Sequence, residues 1–166
     1  MFKKGVPTNM RLYHGSDQII DVPKIIKPNR KTDFGSGFYT TWSEKQAESW
    51  SKIVCKRRGS EQAYVSEYEY SENSECTVLL FDGPTAEWFD FIISNRKGES
   101  NHEYDIVIGP VADDSVYETL FRFEIGDIDR EEAILKLKTA KLDGQVLFHT
   151  DKSLNCIKYI GYKEVR

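Results

Sequence analysis

The 166-residue chain has 39% apolar, 13% aromatic and 30% charged residues, a composition that fits one folded domain with a real core and argues against disorder. Its formal charge of -4 speaks against a protein that holds nucleic acid by neutralising phosphates. No apolar run has the length of a spanning helix or the form of a signal peptide, so a soluble, cytoplasmic chain is expected. Cys55, Cys76 and Cys156 are odd in number and lack CxxC spacing, so they indicate neither a disulfide framework nor a metal site and read as buried or half-exposed thiols.

Met10 to Tyr13 reads as a short strand that stops at the break His14-Gly15-Ser16, placing His14 at a strand terminus. Asp17 to Gly37 holds Pro23, Pro28, Gly35 and Gly37 with little periodicity, and reads as a long functional loop. Phe38-Tyr39-Thr40-Thr41-Trp42 is aromatic and β-branched and predicts a strand. Ser43 with Gln46 three residues on is a capping box for a helix reaching Arg58 and stopped by Gly59, with Ala47, Trp50, Ile53 and Val54 facing the core. Two basic clusters, one of Lys24, Lys27, Arg30 and Lys31 and one of Lys56, Arg57 and Arg58, read as solvated faces or helix ends.

Ala63 to Tyr70 alternates with a period of two and Thr77 to Phe81 is a short apolar run, so both predict strands. Trp88, Phe89, Ile92 and Ile93 fall at helical spacing between Thr85 and Arg96. Tyr104 to Ile108 predicts a strand. Asp113 or Asp114 caps a third helix with Val116, Leu120 and Phe123, and Asp129 opens a fourth through Ala140. The turn Asp143-Gly144 feeds a strand from Gln145 to His149, in which Val146 and Phe148 share one face and Gln145, Leu147 and His149 the other. Asp151 caps a short helix through Ile160 with Leu154, Ile157 and Ile160 inward, and Tyr162 to Val165 forms an edge strand. Together these predict a single α+β domain over residues 1–166, mainly antiparallel with helices around the sheet.

Polar groups stand beside glycines at strand ends in three places: His14-Gly15, Gly35-Ser36-Gly37-Phe38-Tyr39, and Gln145. Taken singly, each has a structural explanation: a hydrogen-bonded histidine, a tight turn, a surface residue after a turn. Taken in order, Tyr13-His14-Gly15-Ser16, then Asp33-Phe34-Gly35-x-Gly37-Phe38-Tyr39-Thr40-Thr41, then Gln46-Ala47-x-x-Trp50 resemble the ADP-ribosyltransferase superfamily. The resemblance takes in Tyr104 to Asp114 and Gln145 to Thr150, so it covers most of the chain. It is nearest to a bacterial branch often encoded beside small antitoxin-like partner proteins.

That resemblance implies a split antiparallel sheet gripping NAD⁺ as co-substrate, with no metal, in a His-Tyr-Glu arrangement. His14 would hydrogen-bond a ribose hydroxyl, with Ser16 beside it. Gly15 would let its backbone reach the nicotinamide carboxamide, Tyr39, next to Phe38, would stack on the nicotinamide ring, and Thr40 or Thr41 would add a hydroxyl contact. Gln145 stands where the superfamily carries glutamate; it can hydrogen-bond ribose hydroxyls but has no charge and cannot act as a general base. Three remedies are open: an acceptor that is already nucleophilic, which ranks first; a nearby acid such as Asp143 or Asp105; or binding without turnover. Asp105 and Asp114 would line the rim of the cleft, or serve as a strand-edge charge and a helix cap. The implied activity is mono-ADP-ribosylation of a macromolecule by a toxin that a small antitoxin-like partner restrains. The alternatives are an inactive NAD⁺ or ADP-ribose binding module and an NAD⁺ glycohydrolase.

Overall fold

The computed structural model describes residues 9–27, 32–99 and 101–166, so that Pro28, Arg30 and Lys31 of the anticipated loop and basic cluster lie outside the described residues. The fold is α+β. Strands β1 (Asn9–Ser16), β2 (Phe38–Thr41), β3 (Ala63–Ser71), β4 (Val78–Leu80), β5 (Ile106–Pro110), β6 (Gly144–Phe148) and β7 (Ile157–Val165) form one sheet in the order β4-β5-β6-β2-β1-β3-β7. Helices α1 (Glu44–Arg58), α2 (Ala86–Lys97), α3 (Asp114–Glu124) and α4 (Arg130–Leu137) accompany it. Neighbouring strands run antiparallel except β4 and β5, which are parallel. No helix among the described residues is long and apolar enough to cross a membrane.

Pairing along the sheet is uneven. β1 pairs with β3 from Asn9↔Ser71 to Ser16↔Tyr64, and β2 pairs with β6 from Phe38↔Phe148 to Thr41↔Gln145, but β1 meets β2 at Tyr13↔Thr41 alone. The sheet is therefore two halves, β4-β5-β6-β2 and β1-β3-β7, joined at a seam that is held by one register pair. Side chains alternate along a strand and directly paired residues share a face. Tyr13, Tyr39, Thr41, Gln145 and Leu147 thus stand on one face, and Leu12, His14, Phe38, Thr40 and Val146 on the other. On the first face α2, α3 and α4 bury Trp88, Phe89, Ile92, Val116, Leu120 and Ala133 against Val107 and Leu147. The second carries Leu12, Phe38, Tyr68, Tyr70, Ile108 and Phe148. Each of these large side chains contributes about 1.5–3 kcal/mol of burial.

Helix α1 starts as its sequence predicts, with Ser43 Oγ accepting from the Gln46 N–H at 3.3 Å, and it ends on Gly59 at φ 67°. Its buried residues, however, are Ala47 and Ser51, while Trp50 and Ile53 are 38% and 42% exposed. Gly15 explains the inversion. A Cβ on Gly15 would stand 2.0 Å from the Ala47 carbonyl oxygen, so the helix rests directly on the β1 backbone and only small residues fit between them. Trp50 is turned outward, with the Arg57 guanidinium 5.2 Å from its ring centroid.

The segment after β6 also departs from expectation. Thr150, not Asp151, caps a 3-10 turn over Asp151–Cys156, and Ile157 then enters β7 instead of continuing a helix. The spacing of Leu154, Ile157 and Ile160 fits a helix locally. The open edge of β3 outweighs it, pairing with β7 from Tyr70↔Ile157 to Ala63↔Val165. Elsewhere Asp113 rather than Asp114 caps α3, α4 stops at Leu137 rather than Ala140, and β4 is confined to Val78–Leu80.

Asp105 is a knot between these connections. Its carboxylate accepts from the Thr77 N–H at 2.8 Å and Thr150 Oγ1 at 2.6 Å, and Lys152 Nζ lies 3.0 Å away. Burial alone would raise its pKa, but the hydrogen bonds from Thr150, Thr77 and Lys152 outweigh burial and hold it at about 2. A folded value below the unfolded one adds stability that is present above pH 3.8 and is lost as pH falls toward about 2. Acid titration of the fold should therefore show a loss of about 2 kcal/mol in that window, read by circular dichroism. Asp105→Asn should flatten that part of the curve, and an unchanged acid limb would contradict the assignment.

Candidate functional site

Of the sequence-predicted residues, those of β1 and β2 border the seam, and Gln145 lies one strand further on, in β6. His14 Nδ1 donates to the Tyr39 carbonyl oxygen at 2.6 Å, crossing from β1 to β2 where the strands are no longer paired. A carbonyl oxygen only accepts, so Nδ1 carries the proton and the neutral imidazole keeps its Nε2 lone pair as an acceptor. Burial lowers the His14 pKa below 6.5, opposed by the bond to Tyr39, and the nearby Arg58 charge lowers it further. The ring is held flat against Phe38, with centroids 4.4 Å apart and planes 30° from parallel. His14 is thus a fixed, neutral hydrogen-bond acceptor.

Tyr39 is anchored through its hydroxyl, which donates to the Gly35 carbonyl at 2.5 Å and accepts from the Phe34 N–H at 3.1 Å. Burial pushes its pKa well above the ordinary tyrosine value, so the phenol stays protonated. The ring is only partly buried, against the core that contains Phe34 and Leu147. Gln145 lies one strand further, on the same face, paired with Thr41. Its Nε2 donates to the Pro110 carbonyl at 3.4 Å. That bond fixes the amide so that Oε1, the acceptor end, turns away from Pro110.

The remaining predicted residues divide by role. Gly15 has its Cβ direction filled by α1, so what it presents to the seam is backbone. Ser16 Oγ donates to Asp17 at 3.3 Å, and Asp17 in turn is held by Arg58 at 2.7 Å and Ser60 at 2.6 Å. Phe38 supports the His14 ring. Thr40 and Thr41 are buried and donate their hydroxyls to β6, to the Val146 carbonyl at 2.9 Å and the Gly144 carbonyl at 2.6 Å, and Thr41 Oγ1 also accepts from the Ser43 N–H at 3.0 Å, so both hydroxyls tie the chain to itself. Tyr39, Thr41 and Gln145 therefore share a face, while His14 and Thr40 stand on the opposite one.

Neither acid proposed to stand in for a glutamate is at hand in the same way. Asp105 precedes β5, at the opposite end from Gly109, the residue paired with Gln145, and its carboxylate is fully engaged in the knot described above. Asp114 is exposed in the first turn of α3. Asp143 is exposed immediately before β6, and its carbonyl accepts from the Val111 N–H at 2.8 Å.

The sequence reading missed two positioning residues. His102 Nε2 donates to the Phe34 carbonyl at 2.7 Å and His149 Nδ1 to the Ser36 carbonyl at 2.6 Å, with their rings 4.2 Å apart. With His14 on Tyr39, all 3 histidines of the chain hold main-chain carbonyls of the 34–39 segment. Gly37 completes the turn at φ 146°, where a Cβ would lie 2.2 Å from the Phe148 carbonyl. No local spacing in the sequence announces this clamp, because His102 and His149 come from connections far along the chain.

Comparison with known proteins gives one match: the model of the family described as "Protein of unknown function (DUF3990)" aligns with residues 10–159. No curated protein and no solved structure matches the chain.

Proposed function

We propose that the chain, which belongs to the DUF3990 family, is a mono-ADP-ribosyltransferase that binds NAD⁺ at the β1–β2 seam and transfers ADP-ribose to a macromolecule. The observation that carries the reading is the His14–Tyr39 bridge across strands that have ceased to pair. A sheet in two halves, with a His-Gly strand and a Tyr strand bordering the gap, is the layout expected of the split-sheet transferases that the sequence resembles.

The chemistry follows from the side chains. The Gly15 backbone edge would receive the nicotinamide carboxamide, and the anchored Tyr39 ring would face the cationic ring, a contact of about 1–2 kcal/mol. The neutral Nε2 of His14 and the Oε1 of Gln145 would accept from ribose hydroxyls. The C1′–N bond breaks with both electrons leaving on nicotinamide, and the ribose passes through an oxocarbenium-like state that fixed dipoles stabilise. The acceptor nucleophile closes on C1′ and releases its proton to solvent. Gln145 carries no charge and the Nε2 of His14 is taken up by the ribose in this reading, so the acceptor is one that is nucleophilic without deprotonation.

In this reading the protein acts in the cytoplasm as a toxin restrained by a small partner protein. The test incubates the protein with NAD⁺ labelled in its adenylate and a bacterial lysate, then digests with protease or nuclease. Label retained on protein or on nucleic acid identifies the acceptor class. Nicotinamide release with only free ADP-ribose would make the protein a glycohydrolase. A second reading, an NAD⁺-binding module without turnover, is favoured by one observation, the uncharged Gln145. Calorimetric binding of NAD⁺ with no nicotinamide released would establish it, and no binding at all would end both.

A further inference from the structure

Cys76 and Cys156 lie 80 positions apart in sequence, yet their Sγ atoms are 3.6 Å apart. Each belongs to a connection between the two halves of the sheet. Cys76 sits in the link from β3 to β4, and Cys156 closes the 3-10 turn that leads from β6 to β7. β3 and β7 belong with β1, and β4 and β6 belong with β2. These two links cross from one half to the other and touch again where Lys152 Nζ donates to the Glu75 carbonyl at 2.9 Å. Both thiols are free, Cys76 partly exposed and Cys156 buried.

We propose that Cys76 and Cys156 are a thiol–disulfide exchange site whose closure staples the two halves of the sheet together behind the β1–β2 seam. The co-reactant is a low-molecular-weight disulfide. The partly exposed Cys76, as thiolate, attacks one sulfur of that disulfide, and the first small thiolate leaves and takes up a proton. Cys156, giving up its own proton, then attacks Cys76 Sγ and expels the second small thiol. Both protein thiols are oxidised, the small disulfide is reduced to two thiols, and an S–S bond of about 2.05 Å replaces the present contact. Cys156 is buried, and burial raises its thiol pKa, so the second step is the slow one and the mixed disulfide on Cys76 accumulates first.

Cys55 provides an internal control, since its Sγ donates to the Ser60 carbonyl at 2.8 Å and it has no cysteine partner. The test exposes the folded protein to oxidised glutathione, alkylates the remaining thiols and maps peptides without reduction. Expected are an early glutathione adduct at Cys76, then a linked Cys76–Cys156 peptide that dithiothreitol reverses. Closing so long a loop should raise Tm by roughly 5–15 °C, with slower amide exchange at Phe38–Thr41. Cys76→Ser alters a partly exposed position and should abolish both effects while folding normally, and Cys156→Ser should retain the adduct without resolving it. A lasting adduct with no linked peptide in the native sequence would overturn the proposal, as would a linked peptide that leaves Tm and seam exchange unchanged. Because none of these readouts uses NAD⁺, they stand or fall separately from the transferase reading.

Discussion

His14→Ala is expected to lower NAD⁺-dependent nicotinamide release by about 100-fold or more, the scale of losing one positioned polar group from a charge-developing site. In the proposed role the imidazole would contribute twice: Nδ1 closes the seam on the Tyr39 carbonyl, and Nε2 would offer an acceptor to the ribose. The first contribution is structural and worth about 1 kcal/mol, so thermal unfolding of the variant should shift only by a few degrees. Turnover and stability are thus separable, and a variant as active as the native chain would remove the assignment of the site. Native activity should also fall on acidification, because protonation converts Nε2 from acceptor to donor. Burial is the main cause that places this transition below pH 6.5; an acid limb centred well above that value would mean another group controls it.

Gln145→Glu is expected to raise nicotinamide release by about 10- to 100-fold, since a carboxylate beside an oxocarbenium-like ribose adds roughly 1.4–2.7 kcal/mol of charge stabilisation. The position suits the test because Gln145 shares a face of the sheet with Tyr39, one strand away, and its amide is held only by a long bond to the Pro110 carbonyl. A carboxylate cannot donate to that carbonyl, so a small loss of stability should accompany the gain. If release rises and most of the added product is free ADP-ribose, the uncharged amide is what directs the native site toward transfer. A variant no faster than the native chain would place the limit elsewhere, in the acceptor or in binding.

Local sequence signals were legible wherever the deciding contacts are near in the chain. Ser43, Thr85 and Asp129 cap the helices they precede, and Trp88, Phe89, Ile92 and Ile93 are buried at the spacing that announced them. The failures are long-range. Trp50 and Ile53 have the periodicity of a core face, yet the contact side of α1 is Ala47 and Ser51, because Gly15 brings the strand backbone against the helix. Ile157 and Ile160 fit a helix until the edge of β3 is in view. At the site, His14, Tyr39 and Gln145 could be picked out from their neighbours, but not the bond that joins the first two or the face that separates His14 from Gln145.

By itself the sequence determined the α+β class, most element positions, and a set of polar residues placed at strand ends, because caps, turns and alternation are governed by groups a few residues apart. The tertiary structure decided that β1 and β2 would share a single register pair, that three histidines would converge on one short segment, and that two distant thiols would meet. Those outcomes depend on how strands and crossing connections fit against one another in space, and no spacing along the chain encodes that fit.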